Sequence, residues 1–151
     1  MSELTNKNAG FAIYHDLVVA APTGQLFAAV SLSEQLVNWW PFRCTGEPAV
    51  GATYNFFFSP EYDWYGEVIK VIPNEAFHVR MTAADPDWTP TSFGFDLSEV
   101  EGGRTQLSFW HRGWPACNAH FKRSSFCWAI LLQGLKNYVE KGTIVPFAER
   151  E

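Results

Sequence analysis

Along much of the chain, apolar and polar residues alternate at every second position. Phe77, Val79 and Met81 are separated by His78 and Arg80, and Phe93, Phe95 and Leu97 by Gly94, Asp96 and Ser98. A period of two sends the two sets to opposite faces of a β-strand, so these runs predict strands with one apolar side. The same reading makes strands of FAIYHDLVVAA (11–21), FRCTGEP, TYNFFFS, DWYGEVIKVIP, EAFHVRMT, TSFGFDLSEV and RTQLSFWHRGW, about seven in all. Tyr54, Phe56 and Phe58 share one face, although Phe57 blurs the pattern. Turn-forming residues punctuate the strands at Pro48-Ala49-Val50-Gly51, Ser59-Pro60, Pro73-Asn74 and Glu101-Gly102-Gly103. Connections this short favour antiparallel pairing.

Helical spacing interrupts the pattern early and replaces it late. In PTGQLFAAVS (22–31), Pro22 suits a first helical turn, and Leu26, Phe27 and Val30 fall on one side. SLSEQLVNWW predicts a second short helix with Ser33 as its N-cap. Over residues 118–142, Phe121, Ser125, Trp128, Leu132, Leu135 and Val139 recur every three or four positions. Lys136 and Lys141 come late, and Gly142 is a C-terminal stop. This one long helix is expected to cover the apolar side of the sheet. The result is an α+β chain forming a single domain over residues 1–151, its ordered core about 11–142, between a polar lead of about ten residues and a short tail, TIVPFAERE.

The order of these elements and several short motifs resemble the START-like SRPBCC superfamily, and within it the bacterial relatives of the activator of heat-shock-protein-ninety ATPase. The motifs are VVAAPTGQLFAAVS, LVNWWPF, GATYNFFF, GEVIKVIPNEAF, and TQLSFWHRGW leading into WAILLQGLKNYVEKG. None is diagnostic alone; their order over nearly the whole chain carries the likeness. The resemblance implies a helix-grip fold, in which a curved antiparallel sheet wraps a long C-terminal helix and two short helices follow the first strand. It also implies a cavity between sheet and helix. Members include lipid carriers, cyclases and cochaperone domains, so the fold does not name a reaction.

Composition narrows the function classes. With 151 residues, 47% hydrophobic, the chain can bury a core without metal or disulfide help. A net charge of −5 argues against binding a phosphate backbone, so no nucleic-acid partner is expected. No apolar run approaches a membrane span and the N-terminus lacks the pattern of a secretory leader, so no membrane insertion is expected. Cys44, Cys117 and Cys127 form no CxxC pair and are odd in number, which fits a reducing, cytoplasmic setting. Cys127 lies in the apolar helix and reads as a buried small hydrophobe. His15, His78, His111 and His120 show no metal-ligand spacing, and phosphate-loop and nucleophile-elbow motifs are absent, so neither metal nor cofactor is expected.

The sharpest candidate for chemistry is His111, which shares the parity of Leu107 and Phe109 and is expected to face inward. Ser108, Trp110 and Arg112 should then face outward. An imidazole there could act as acid or base, with Tyr54 or Asp96 as a second polar group. The alternative, and the favoured one, is that a backbone carbonyl or hydroxyl holds it at the strand end. Trp39, Tyr54, Phe56, Phe58, Val79, Met81, Phe93, Phe95, His111, Phe121 and Trp128 are the expected ligand-contacting set, with plain core as the alternative. The resemblance implies a place for Trp39, Trp40 and Phe42 at the cavity mouth, as a cover or gate, with structural packing as the alternative. In the loop 82–91, Asp85, Asp87 and Trp88 could contact a polar partner or simply form a turn. The leading expectation is therefore binding of a small hydrophobic or aromatic ligand by a monomer or homodimer. The rivals are a cyclase- or hydrolase-type enzyme using His111 and a cochaperone-like interaction module.

Overall fold

The computed structural model describes residues 10–150; the polar lead otherwise lies outside the described residues. Seven strands form one antiparallel sheet: β1 (Phe11–Val19), β2 (Arg43–Thr45), β3 (Thr53–Ser59), β4 (Tyr62–Ile72), β5 (Ala76–Ala83), β6 (Ser92–Val100) and β7 (Arg104–Trp114). Their spatial order is β1-β7-β6-β5-β4-β3-β2. From β2 onward each strand pairs with the next, as short turns dictate, and β7 closes the series against β1. β1 and β2 thus end at opposite edges although they are consecutive. The intervening segment must cross the sheet, and it does so as α1 (Thr23–Ser31) and α2 (Ser33–Leu36).

Only Leu32 separates these two helices. Its extended backbone, φ −81° and ψ 131°, ends α1 and starts α2. Ser33 is consequently the first residue of α2 and makes no capping bond, contrary to the sequence expectation, because no residue remains to place it outside the helix.

The long helix α3 (Ala119–Lys141) covers the inner face. Asn118 caps it by accepting from the Phe121 amide at 2.9 Å, and Gly142 ends it in the left-handed conformation, φ 73°. Trp128, Leu132, Leu135 and Val139 are buried as their spacing predicts, but Ser124 is the buried serine and Ser125 is half-buried. The Ser125 carbonyl, at the margin of this face, accepts a hydrogen bond from His15 Nε2 on β1, at 3.1 Å. Near the other end of α3, Lys136 Nζ donates to the Val18 carbonyl at 2.8 Å and the Ala20 amide donates to Glu140 at 2.7 Å. The helix is therefore tied to the edge strand at two places. Among the described residues no helix is long and apolar enough to cross a membrane.

The outer face holds one departure from simple alternation. Trp110 faces outward as expected yet is only 6% exposed. Its indole lies over Gly94, where a Cβ would collide with the ring, and Arg112 stacks above it at 4.0 Å. Asp96 accepts from Trp110 Nε1 at 2.9 Å and bonds His78 Nε2 at 2.7 Å. A missing side chain at Gly94 thus lets an outward tryptophan lie flat and keep its polar atom bonded.

Candidate ligand-binding cleft

Most of the inward face is closed. Trp39, Tyr54, Phe56, Val79, Met81, Phe93 and Phe95 are each no more than 2% exposed and pack into one core. Tyr54 donates to the Ser31 carbonyl at 2.5 Å, and Trp39 donates to the Ala29 carbonyl at 2.9 Å, so both polar atoms serve to fasten α1. Phe121 is half-buried against Trp114 and Phe11. Eight of the expected ligand contacts, these seven and Phe121, are therefore packing residues. Periodicity marked the inward side correctly but could not separate the filled part of the grip from its open end.

His111 belongs to the filled part. It is fully buried, and Trp128 Nε1 donates to its Nδ1 at 3.1 Å. An indole nitrogen only donates, so Nδ1 must be bare and Nε2 must carry the proton. That Nε2–H donates to Thr91 Oγ1 at 2.8 Å, and the Thr91 hydroxyl donates to the Trp88 carbonyl at 2.6 Å. Burial pulls the His111 pKa down to about 3, with His120 adding repulsion. Both ring nitrogens are occupied, and Asp96 lies on the opposite face of the sheet. The pairing an acid–base role required is therefore not assembled: Tyr54 is bonded to Ser31, and His111 exposes no surface to solvent. The Cys44 thiol, pushed up to about 12 by burial, is not an activated nucleophile either.

The open space lies at one end of the grip. A cleft of about 370 Å³ is bounded by the first half of α3 (Arg123, Ser124, Cys127, Trp128, Leu131) and by the β3–β4 hairpin (Phe58, Tyr62, Trp64). Asp85 and Trp88 between β5 and β6, His120, Trp40 after α2, and Phe147 and Arg150 complete it. The rings run together: Trp40 to Trp128 is 4.9 Å between centroids, Trp64 to Trp88 is 4.7 Å, and Trp88 stacks on Trp128 at 6.1 Å. Phe58 and Trp128 are the two members of the expected set found here, and Cys127 turns out to be half-buried on this wall instead of in the core. Trp64 was legible by its parity with Val68 on β4. Arg123, Leu131, Phe147 and Arg150 carried no such signal.

The tail forms a wall. Residues 143–150 fold back beyond α3 and end in a short 3₁₀ turn, Phe147–Glu149. Phe147 packs on Phe42 at 5.3 Å. Arg150 donates from Nε to the Val145 carbonyl at 2.9 Å and from Nη1 to Val37 at 2.9 Å, with Trp40 and Pro41 at 3.4 and 3.3 Å. The carbonyls after α2 lack helical partners, and the guanidinium satisfies them. The short tail read from the sequence thus acts as a latch.

At the rim, Asp85 Oδ1 accepts from the Asp87 amide at 3.0 Å, a turn of the kind Asp favours. His120 Nδ1 lies 2.9 Å from Asp87 and 3.7 Å from Asp85, pinning the loop to the start of α3. One ligand atom from each of the three falls within 4.8 Å of the others, which is spacing that could hold a divalent cation. Local spacing could not reveal this group, because His120 is brought in from another element.

A curved antiparallel sheet gripping a single long helix, with short helices spanning its edge strands, defines a START-like helix-grip domain. The family described as Activator of Hsp90 ATPase homolog 1-like protein matches residues 20–140, and the chain belongs to it. The chain is similar to the Aha1 dimer from Colwellia psychrerythraea, at 27% identity and a TM-score of 0.80 over 88% of this chain and 98% of that one. It is also similar to SSP2350 from Staphylococcus saprophyticus (17% identity, TM-score 0.75, 90% and 96% covered). MLL2253 from Mesorhizobium loti gives 18%, 0.75, and 89% and 100% covered. These last two show the fold alone. No curated protein matches the sequence significantly.

Proposed function

We propose that the protein binds a small hydrophobic or aromatic molecule in the cleft between the sheet and α3. The observation that carries this reading is the wall itself. Trp40, Phe58, Trp64, Trp88 and Trp128 present a continuous aromatic surface to a space of about 370 Å³, a size common among small-molecule sites. Flat rings offer large contact area at small entropic cost, so an apolar ligand gains burial without rearranging the fold. An odd count of cysteines, Cys44, Cys117 and Cys127, with no CxxC pair supports a cytoplasmic setting. The Colwellia protein is a dimer in solution, which supports a homodimer here; light scattering decides the mass.

The test is a panel of neutral arenes titrated while the indole N–H resonances are followed by NMR. Shifts confined to Trp40, Trp64, Trp88 and Trp128 support the site, and a Cys127→Trp variant that fills the cleft should abolish them. A panel that shifts no indole, or shifts that persist in the filled variant, would sink the reading.

A further inference from the structure

The cleft holds charge as well as rings. The protein has a formal net charge of −5, yet two guanidinium groups, Arg123 and Arg150, face this one space. Among the described residues neither has a carboxylate within ion-pair distance. Asp85, the one acidic residue on the wall, is already shared with His120.

Arg150 is the more informative of the two. It is 9% exposed, with Nε and Nη1 committed to main-chain carbonyls, while Nη2 has no protein acceptor among the described residues. Arginine keeps its charge in proteins, and a cation withdrawn from water without a counter-ion carries a desolvation cost that carbonyl dipoles offset only in part. The latch also fixes the guanidinium in advance, so an anion meeting Nη2 has little left to order. Arg123, exposed on α3 and without a hydrogen-bond partner among the described residues, supplies a second positive charge on the same wall.

We propose that the cleft takes an aromatic molecule carrying a carboxylate, its rings against Trp40, Trp88 and Trp128 and its carboxylate drawn to Arg150 and Arg123. The planar guanidinium fork matches a carboxylate in shape as well as in charge. This rests on the cleft binding an arene at all, and it restricts that ligand to an acid. The asymmetry of the wall also sets an orientation: the ring system enters toward the buried tryptophans and the acid stays at the arginines.

The experiment compares 2-naphthoate with 2-naphthamide, which keeps the ring system and removes the charge, by calorimetric titration of the full chain with indole NMR shifts as the locator. Naphthoate should bind about tenfold more tightly, the scale of one charge-assisted hydrogen bond. Arg123→Gln should weaken naphthoate binding more than naphthamide binding and so shrink that preference. Arg150→Gln keeps a donor for the carbonyls and should shrink it further; a melting curve checks that the tail still docks. Equal binding of the two probes overturns the acid while sparing the aromatic cleft. A preference that survives both substitutions overturns the role of these arginines. If neither probe shifts the cleft indoles, both readings fall.

Discussion

Trp128 donates its indole N–H to His111 Nδ1, and this single bond fixes the protonation state of a histidine that has no contact with solvent. A proton added at Nδ1 would face another N–H and have no acceptor. His111 is therefore a neutral structural hinge between β7 and α3, and it ties the behaviour of the fold to acid.

Stability should fall as pH is lowered through the window from about 6.5 to about 3. The folded-state pKa of His111 lies below its unfolded value, so the unfolded chain binds the extra proton throughout that range, and unfolding gains from acid. The slope from this one group reaches about 1.4 kcal/mol per pH unit. Glu140, whose pKa is lowered chiefly by the hydrogen bond from Lys136, acts in the same direction. Urea unfolding at several pH values should therefore show a shallower acid dependence in His111→Phe than in the parent protein, and parallel curves would contradict the assignment.

Thr91→Val should destabilise the protein by about 1–3 kcal/mol, the cost of a buried polar group left unbonded. The change conserves shape but removes the acceptor of His111 Nε2–H and the donor to the Trp88 carbonyl. Chemical denaturation measures the loss, and no change in midpoint would show that the network carries no stability.

Gly94→Ala should cost about 1–3 kcal/mol, as overpacking does. The new methyl would meet the Trp110 ring and approach His78 Cδ2 to 2.6 Å. Displacing Trp110 also separates it from Asp96, so a lower melting temperature should accompany a red-shifted tryptophan emission.

Arg150→Ala should loosen residues 143–150 and cost about 1.5–3 kcal/mol, the range for hydrogen bonds to a charged group. Amide exchange should quicken in the tail and at the turn after α2, while the β6–β7 amides stay protected. Uniform exchange across the chain would mean the latch is not local.

Much of this fold was legible in the sequence for a plain reason. Side-chain alternation follows directly from the strand pleat, so the runs around Phe77 and Phe93 could be placed on the correct face without any long-range information. The short helices were legible from spacing, but Ser33 was misplaced because cap position depends on the backbone of Leu32. The candidate site was far less legible. Whether an inward aromatic meets another ring or empty space depends on where the helix ends relative to the β3–β4 hairpin, and no local pattern encodes that. Arg150 was invisible because three of its four main-chain acceptors, the Val37, Trp40 and Pro41 carbonyls, lie more than a hundred positions away.

Because Phe147 and Arg150, in the last eight described residues, line the cleft, its entrance is shaped by a segment outside both the sheet and the long helix. A purification tag or fused domain placed directly after these residues risks masking the cleft. The same placement gives the protein a cheap way to diversify. Substitutions at Phe147 or its neighbours can re-cut the entrance while the sheet and the long helix keep their packing.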